Sequence, residues 1–305
     1  VSGGAAAQPS RTVGGLLIVD GHACAYRAFY AIRELRAPDG RPTNAIYGFV
    51  KMLEKMRLTV QPTHLAVVWD GGLSAERLTA WPAYKAQRPE MPTDLQGQMD
   101  EMAAYLAAAG LVGICREGLE ADDLIASLAR RAAAEGQSVV IASADKDFMQ
   151  LVSARIGLLN PNDKSGAIWT DEQVRAKTGV EPAQVADWLA LMGDAVDNIP
   201  GVPGVGAKTA AALLQRFGCL EEIFRRLDEV KPERLQAALR AAAATVERNL
   251  NLVRLQDVPV NMAADELVPS PVNREKLAKL LQGWGFRGML AALEPAEPER
   301  QQNLI

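Results

Sequence analysis

The sequence predicts an α/β protein built on a mainly parallel, twisted sheet flanked by helices, and three observations carry that expectation. Short apolar runs at Leu16–Val19, Leu65–Trp69 and Val139–Ala142 read as strands buried on both faces. Helical patterns lie between them, which makes the strands parallel rather than hairpin-linked. Each run delivers acid at or just beyond its carboxyl end: Asp20, Asp70, and Asp145 with Asp147. Ligands of open α/β sheets bind along that edge.

The elements follow in order. Residues 1–15 hold no apolar core and are expected to form a disordered leader or trimmed end rather than a signal peptide. After the second strand, residues 71–95 (GGLSAERLTAWPAYKAQRPEMPTDL) are broken by Pro82, Pro89 and Pro92 and carry Arg77, Lys85 and Arg88. They read as a mobile excursion over the sheet's carboxyl edge. Glu120-Ala121-Asp122-Asp123 opens a helix whose apolar face is Leu124, Ile125 and Leu128 and which stops at Gly136. Acids in a first helical turn suit the macrodipole.

An apolar helix, VADWLALM, precedes Gly193–Asn198, which adds Asp194 and Asp197. Pro200-Gly201 and Pro203-Gly204 then punctuate the chain, and Gly206-Ala207-Lys208-Thr209 opens an Ala/Leu-rich helix ending at Gly218. A glycine-rich turn feeding a helix N-terminus exposes free N–H groups that suit a phosphate. ERLQAALRAAAATVERNL reads as a further helix, and EPAEPERQQNLI as an extended tail.

Composition narrows the chemistry. Of 305 residues, 49% are hydrophobic and 23% charged, the balance of an ordinary globular chain. No apolar run is long enough for a transmembrane helix, so no membrane partner is expected. Cys24, Cys115 and Cys219 lie far apart without a CxxC pair, which suits a reducing, cytoplasmic compartment and argues against a disulfide framework or a zinc site. They read as small buried hydrophobes, and Trp69, Trp81, Trp169 and Trp188 as packing residues rather than base-stacking platforms. Histidine is confined to His22 and His64, leaving little histidine chemistry. The net charge of −4 does not exclude a nucleic-acid partner, because acids gathered in one place become neutral or positive once loaded with metal.

Candidate ligands are Asp20, Asp70, Glu120, Asp122, Asp123, Asp145, Asp147, Asp194 and Asp197. Singly, each is a common cap or turn residue. Together on one edge they cannot all stay ionised without cations. Oxygen ligands without Cys or His point to Mg²⁺ or Mn²⁺. Several carboxylates of this kind can hold two metal ions in phosphodiester hydrolysis, with Lys85 and Arg88 neutralising the scissile phosphate.

Six segments in this order resemble the 5′-nuclease (flap endonuclease) family: LLIVDGHACAYRAFYA, PTHLAVVWD, YKAQRPEMP, GLEADDLIASLA, ASADKDFMQLV and LALMGDAVDNIPGVPGVGAKTA. The likeness is greatest to the 5′–3′ exonuclease domain at the front of bacterial DNA polymerase I, and spans roughly residues 16–215 before weakening toward 290. The resemblance implies a PIN-like core over 16–183 with a helical arch at 71–95. It also implies a helical subdomain over 184–293 with a helix-three-turn-helix motif that grips duplex DNA and often binds K⁺, and a flexible tail over 294–305.

By position, Asp20, Asp70, Glu120 and Asp122 resemble a first-metal group. Asp145, Asp147 and Asp197 resemble a second, with Asp123 and Asp194 in support. Tyr26, Arg27, Lys85 and Arg88 match substrate-facing residues, and Gly201, Gly204, Gly206, Lys208 and Thr209 match the duplex-binding turn. The implied activity is exonuclease and flap cutting of double-stranded DNA at a 5′ flap, nick or 5′ end, in replication and repair, by a monomer associated with the bacterial nucleoid. Because every acidic position is filled, an active enzyme is expected.

Two departures stand out. Gly71–Ala75 replaces the family's basic and polar residues, while Trp69 stands in place of Phe and Pro82 interrupts the arch. The chain also stops where a polymerase I would continue, and Gln301, Leu304 and Ile305 resemble a sliding-clamp docking peptide. Two rival classes are a nucleic-acid-binding module with an inactive core and a PIN-type RNase; digestion of flap DNA, nicked duplex and single-stranded RNA separates them.

Overall fold

The structure is a computed structural model, and it describes residues 14–260 and 262–293. All but the last two residues of the leader expected at 1–15, and the whole tail expected at 294–305 with Gln301, Leu304 and Ile305, lie outside the described residues. Strands β1 (Leu16–Asp20), β2 (His64–Trp69), β3 (Val112–Cys115), β4 (Val139–Ala142), β5 (Ile156–Leu159) and β6 (Ile168–Trp169) form one sheet in the order β3-β2-β1-β4-β5-β6. All neighbours are parallel except the β5–β6 pair.

The period-two alternation of side chains divides the core into two layers. Leu17, Val19, Leu65, Val67, Val140 and Ala142 enter the layer under α1 (Gly21–Ala31), α2 (Asn44–Val60) and α4 (Thr93–Ala108), with Phe49 at its centre. Leu16, Ile18, Ala66, Val68, Val139 and Ile141 face the other layer, under α5 (Ala121–Ala134) and the helical half of the chain. Both faces are therefore apolar, which is why the strand runs are continuous rather than alternating. Each large side chain buried there contributes about 1.5–3 kcal/mol.

Between β2 and α4 the chain forms a strap whose only regular helix is the short α3 (Ala75–Ala80). The strap lies over the sheet's carboxyl edge as expected and is anchored there by side chains: Arg77, Tyr84 and Lys85 are each 5% exposed or less. Pro82 and Pro89 do break the helix, but partners inside the crevice hold the strap down.

Beyond β6 come α6 (Asp171–Thr178), α7 (Val185–Met192), a two-residue ribbon of β7 (Gly193–Asp194) and β8 (Ile199–Pro200), α8 (Ala207–Phe217) and α9 (Leu220–Arg225). The single helix expected over residues 233–250 is divided at Ala242 into α10 (Glu233–Ala241) and α11 (Ala243–Val253). Helices α12 (Arg274–Trp284) and α13 (Arg287–Leu293) return to the first layer, where Trp284 Nε1 donates to Glu101 at 3.1 Å. Cys24 is buried as expected, whereas Cys115 is exposed at the end of edge strand β3, a correction to its reading as a core residue. Trp69 and Trp188 are buried, in keeping with packing roles.

Candidate metal centre

The topology gathers the acids. The strand order reverses beside β1, and β1 ends in Asp20, in register with Val68 of β2 and one residue beyond the Val19–Ala142 pair with β4. Asp20 caps α1, accepting from Ala23 N–H at 3.0 Å and from Ser143 Oγ at 2.8 Å. Asp145 caps the 3₁₀ turn Lys146–Leu151, accepting from Asp147 N–H at 2.9 Å. That turn is anchored by Phe148, which is fully buried. Asp70 is fixed through its backbone, whose N–H donates to His22 Nδ1 at 2.9 Å.

Asp20, Asp70, Asp122 and Asp145 line one cavity of about 550 Å³ together with His22, Tyr26 and Arg88. Beside it Asp147, Asp194 and Asp197 offer oxygens within 4.8 Å of one another. Asp194 thus stands beside Asp147 and Asp197, while Asp145 lines the cavity with Asp20, Asp70 and Asp122.

Burial governs the electrostatics. It pushes Asp20 up to about 6 despite the Ala23 and Ser143 hydrogen bonds. Burial also raises Asp122, Asp145 and Asp147, and neighbouring carboxylates add to it. Asp147 Oδ1 is buried with no hydrogen-bond partner among the described residues. An orphaned buried oxygen, neighbours that resist ionisation and a donor set made of carboxylates fit a hard divalent cation.

Glu120 differs, because the strap surrounds it. Its carboxylate accepts from Ser74 N–H at 3.1 Å and Tyr84 Oη at 3.1 Å, and it binds Lys85 Nζ. Burial works to raise this carboxyl, but Lys85 and Arg77 outweigh it and hold it below the usual range. For Lys85, burial opposes the charge, and Asp122, Tyr84 and Glu120 overcome it, keeping the ammonium protonated. Arg88 pairs with Asp197 at 2.6 Å and Lys146 with Asp194 at 2.9 Å.

Asp123 is set apart. Arg77 holds both its oxygens, at 2.7 and 2.8 Å, while Gln256 N–H donates to Oδ1 at 2.8 Å. Arg77 also donates to the carbonyls of Leu252 and Arg254, at 3.0 and 3.2 Å. The pair thus ties the strap to α5 and to the end of α11.

Tyr26 is half-buried at the cavity wall and Arg27 is exposed on α1. Beyond the ribbon, a side chain at Gly201 would place Cβ 2.1 Å from Met192 O, and Gly204 has φ +80°. These two glycines let the turn fold tightly against α7. Gly206 precedes α8 with no side-chain cap, leaving its first-turn N–H groups to solvent beside Lys208 and Thr209. Ser143, Tyr84, Lys146 and Asn198 were not singled out by the sequence. Only Lys146 carried a local signal, its place between Asp145 and Asp147.

Comparison with known proteins places the chain in a family and a fold. The family model described as "5'-3' exonuclease, N-terminal resolvase-like domain" matches residues 15–179, and "5'-3' exonuclease, C-terminal SAM fold" matches residues 180–275. DNA polymerase I of Bacillus caldotenax is 38% identical over 295 residues, 95% of this chain, but the chain spans only 33% of that relative. A 5′-3′ exonuclease of Aquifex aeolicus is 37% identical over 92% of this chain and 95% of its own length. The bacteriophage T5 D15 flap endonuclease, solved as a pseudo-enzyme–product complex with DNA and metal ions, shares the fold. Its TM-score is 0.64 at 24% identity, covering 88% of this chain and 99% of that one.

Proposed function

The chain belongs to the 5′-3′ exonuclease family, and from that premise we propose that it is a divalent-metal-dependent nuclease hydrolysing DNA from 5′ ends and at 5′ flaps. One observation carries the reading: a crevice at the sheet's carboxyl edge holds seven carboxylates (Asp20, Asp70, Asp122, Asp145, Asp147, Asp194 and Asp197) that their own chain only partly neutralises. Asp20, Asp70, Asp122 and Asp145 would hold one Mg²⁺ or Mn²⁺, and Asp147, Asp194 and Asp197 a second. Bound divalent ions supply charge stabilisation to the attacking and leaving oxygens of phosphodiester hydrolysis.

The remaining residues bind and orient. Lys85 stays charged within the carboxylates, and Arg88 at the cavity rim meets the negative charge of the scissile phosphate. Tyr26 offers a ring at the same wall, and Arg27 a cation on the exposed side of α1. The α8 N-terminus, with Gly201, Gly204, Gly206, Lys208 and Thr209, takes a duplex phosphate through backbone N–H groups and cation charge, with K⁺ as a further ligand of that turn. The products are 5′-phosphorylated nucleotides, as in RNA-primer and flap removal during replication and repair, in the cytoplasm at the nucleoid. The enzyme acts as a monomer. No helix among the described residues is long and apolar enough to cross a membrane.

Digestion of a 5′-labelled flap substrate with Mg²⁺, comparing wild type with Asp145→Ala, tests the reading. Cutting by the wild type and its loss in the variant are expected; intact substrate with both would overturn it. Gln301, Leu304 and Ile305 form a docking peptide for a sliding clamp. Equal clamp binding with and without the last five residues would remove that assignment.

A further inference from the structure

Two residues with left-handed backbone, Lys85 (φ +54°) and Asn198 (φ +57°), meet where the strap crosses the loop between β7 and β8. Asn tolerates this conformation; a lysine adopts it only when its surroundings impose it. The surroundings are specific. Asn198 Nδ2 donates to Ala83 O at 2.7 Å, and its Oδ1 accepts from Gln87 Nε2 at 3.1 Å. Its main-chain carbonyl accepts from Trp81 Nε1 at 2.9 Å, and the Arg248 guanidinium lies 3.9 Å over the same Trp81 ring.

One residue earlier, the Asp197 carbonyl accepts from Lys85 N–H at 3.0 Å. The carboxamide of Asn198 thus spans the turn from Ala83 to Gln87, and Lys85 lies inside that span. From there Lys85 Nζ binds Glu120 and stands 3.7 Å from Asp122 and 4.0 Å from Asp197. The Asn198 carboxamide bonds to Ala83 and Gln87 and, among the described residues, to no carboxylate, so it acts through Lys85.

We propose that Asn198 is a positioning residue: its carboxamide clasps the Ala83–Gln87 turn and thereby seats the Lys85 ammonium among the carboxylates. The proposal rests on the nuclease reading for its effect on turnover, but the clasp is measurable without it. Asn198→Gly keeps a left-handed backbone available while removing the carboxamide, and Asn198→Ser removes the reach to Gln87 and Ala83 without adding charge.

Trypsin reads the seat directly, because it must take the Lys85 side chain into its specificity pocket and that side chain is 5% exposed in the fold. Loss of two hydrogen bonds is expected to speed cutting at Lys85 about tenfold in Asn198→Gly and similarly in Asn198→Ser, with cutting at exposed Lys208 unchanged. On flap DNA with Mg²⁺, Asn198→Gly is expected to lower kcat about tenfold with KM little changed. In a Lys85→Ala background the same substitution is expected to add nothing. Lys85 as protected as in wild type, or an equal fall in kcat in both backgrounds, would overturn the proposal. If the wild type cuts no DNA the nuclease reading fails, and the trypsin comparison still decides whether Asn198 seats Lys85.

Discussion

Asp123, buried behind the crevice, and Asp147, half-buried with one fully buried carboxylate oxygen, are acids that the chain treats in opposite ways. Asp123 meets a guanidinium fork that satisfies both of its oxygens, with a backbone N–H completing the set. Asp147 has an orphaned buried oxygen and two acidic neighbours, Asp194 and Asp197. Burial raises its pKa, and Asp145 and Asp122 raise it further. A buried carboxylate paired with a guanidinium is a structural joint. One whose nearest charges are other carboxylates is held by a proton or by a cation from outside the chain, and under the proposed reading that difference separates ligand from scaffold.

The largest expected effect breaks the Asp147 side of this contrast. Asp147→Ala or Asp145→Ala should lower flap cutting by more than the ~10–100-fold typical of an outer-shell partner, in a fold that melts no lower than wild type without metal. Parallel digestion and thermal melting check both halves. On the other side, Arg77→Ala leaves Asp123 buried and unpaired, and should cost about 3–5 kcal/mol of stability by denaturant titration. Replacing Arg77 and Asp123 together by apolar residues should cost clearly less than Arg77→Ala alone, since no charge is then stranded.

A third prediction follows from pH. Asp20 is raised from 3.8 to about 6 in the fold, so the folded state holds that proton more tightly than the unfolded chain. Its contribution to stability is full below 3.8 and is lost as pH rises through about 6. Asp122, Asp145 and Asp147 shift in the same direction. Divalent metal binds the deprotonated forms, so at fixed metal concentration its increment to unfolding free energy should grow from about pH 5 to about pH 8, reaching about 2.7 kcal/mol where the metal stands at a hundredfold excess over Kd. An increment that is flat or falls with pH would place the ions elsewhere. The smallest expected effect is at α8: Lys208→Ala should weaken duplex binding uniformly across sequences and reduce the salt slope by about 1.

Much of this arrangement was legible in the sequence because it rests on local signals. The runs ending at Asp20 and Asp70 are buried strands with acid at their carboxyl ends, and the fold could place those ends only on one edge. Helix α8 starts and stops at the glycines that mark it, Gly206 and Gly218. The strap was not legible. Arg77 meets Asp123 across 46 residues and Leu252 across 175, and no local pattern encodes partners at that separation. Lys85 was legible as a cation for the phosphate but not as a buried partner of Glu120, because that burial exists only once strap and sheet are assembled. Asp123 shares its motif with Asp122, and only the helical rotation between adjacent residues turns one to the cavity and the other to Arg77. Cys115 was misplaced for a related reason: edge strand β3 presents alternate residues to solvent.

The most direct measurement is the number of Mn²⁺ ions bound per chain in wild type, Asp147→Asn and Asp123→Asn, read by electron paramagnetic resonance without DNA. Two ions are expected for wild type, one fewer for Asp147→Asn, and two for Asp123→Asn despite its lower stability. An ion lost with Asp123→Asn and retained with Asp147→Asn would contradict the division of the crevice into scaffold and metal centre.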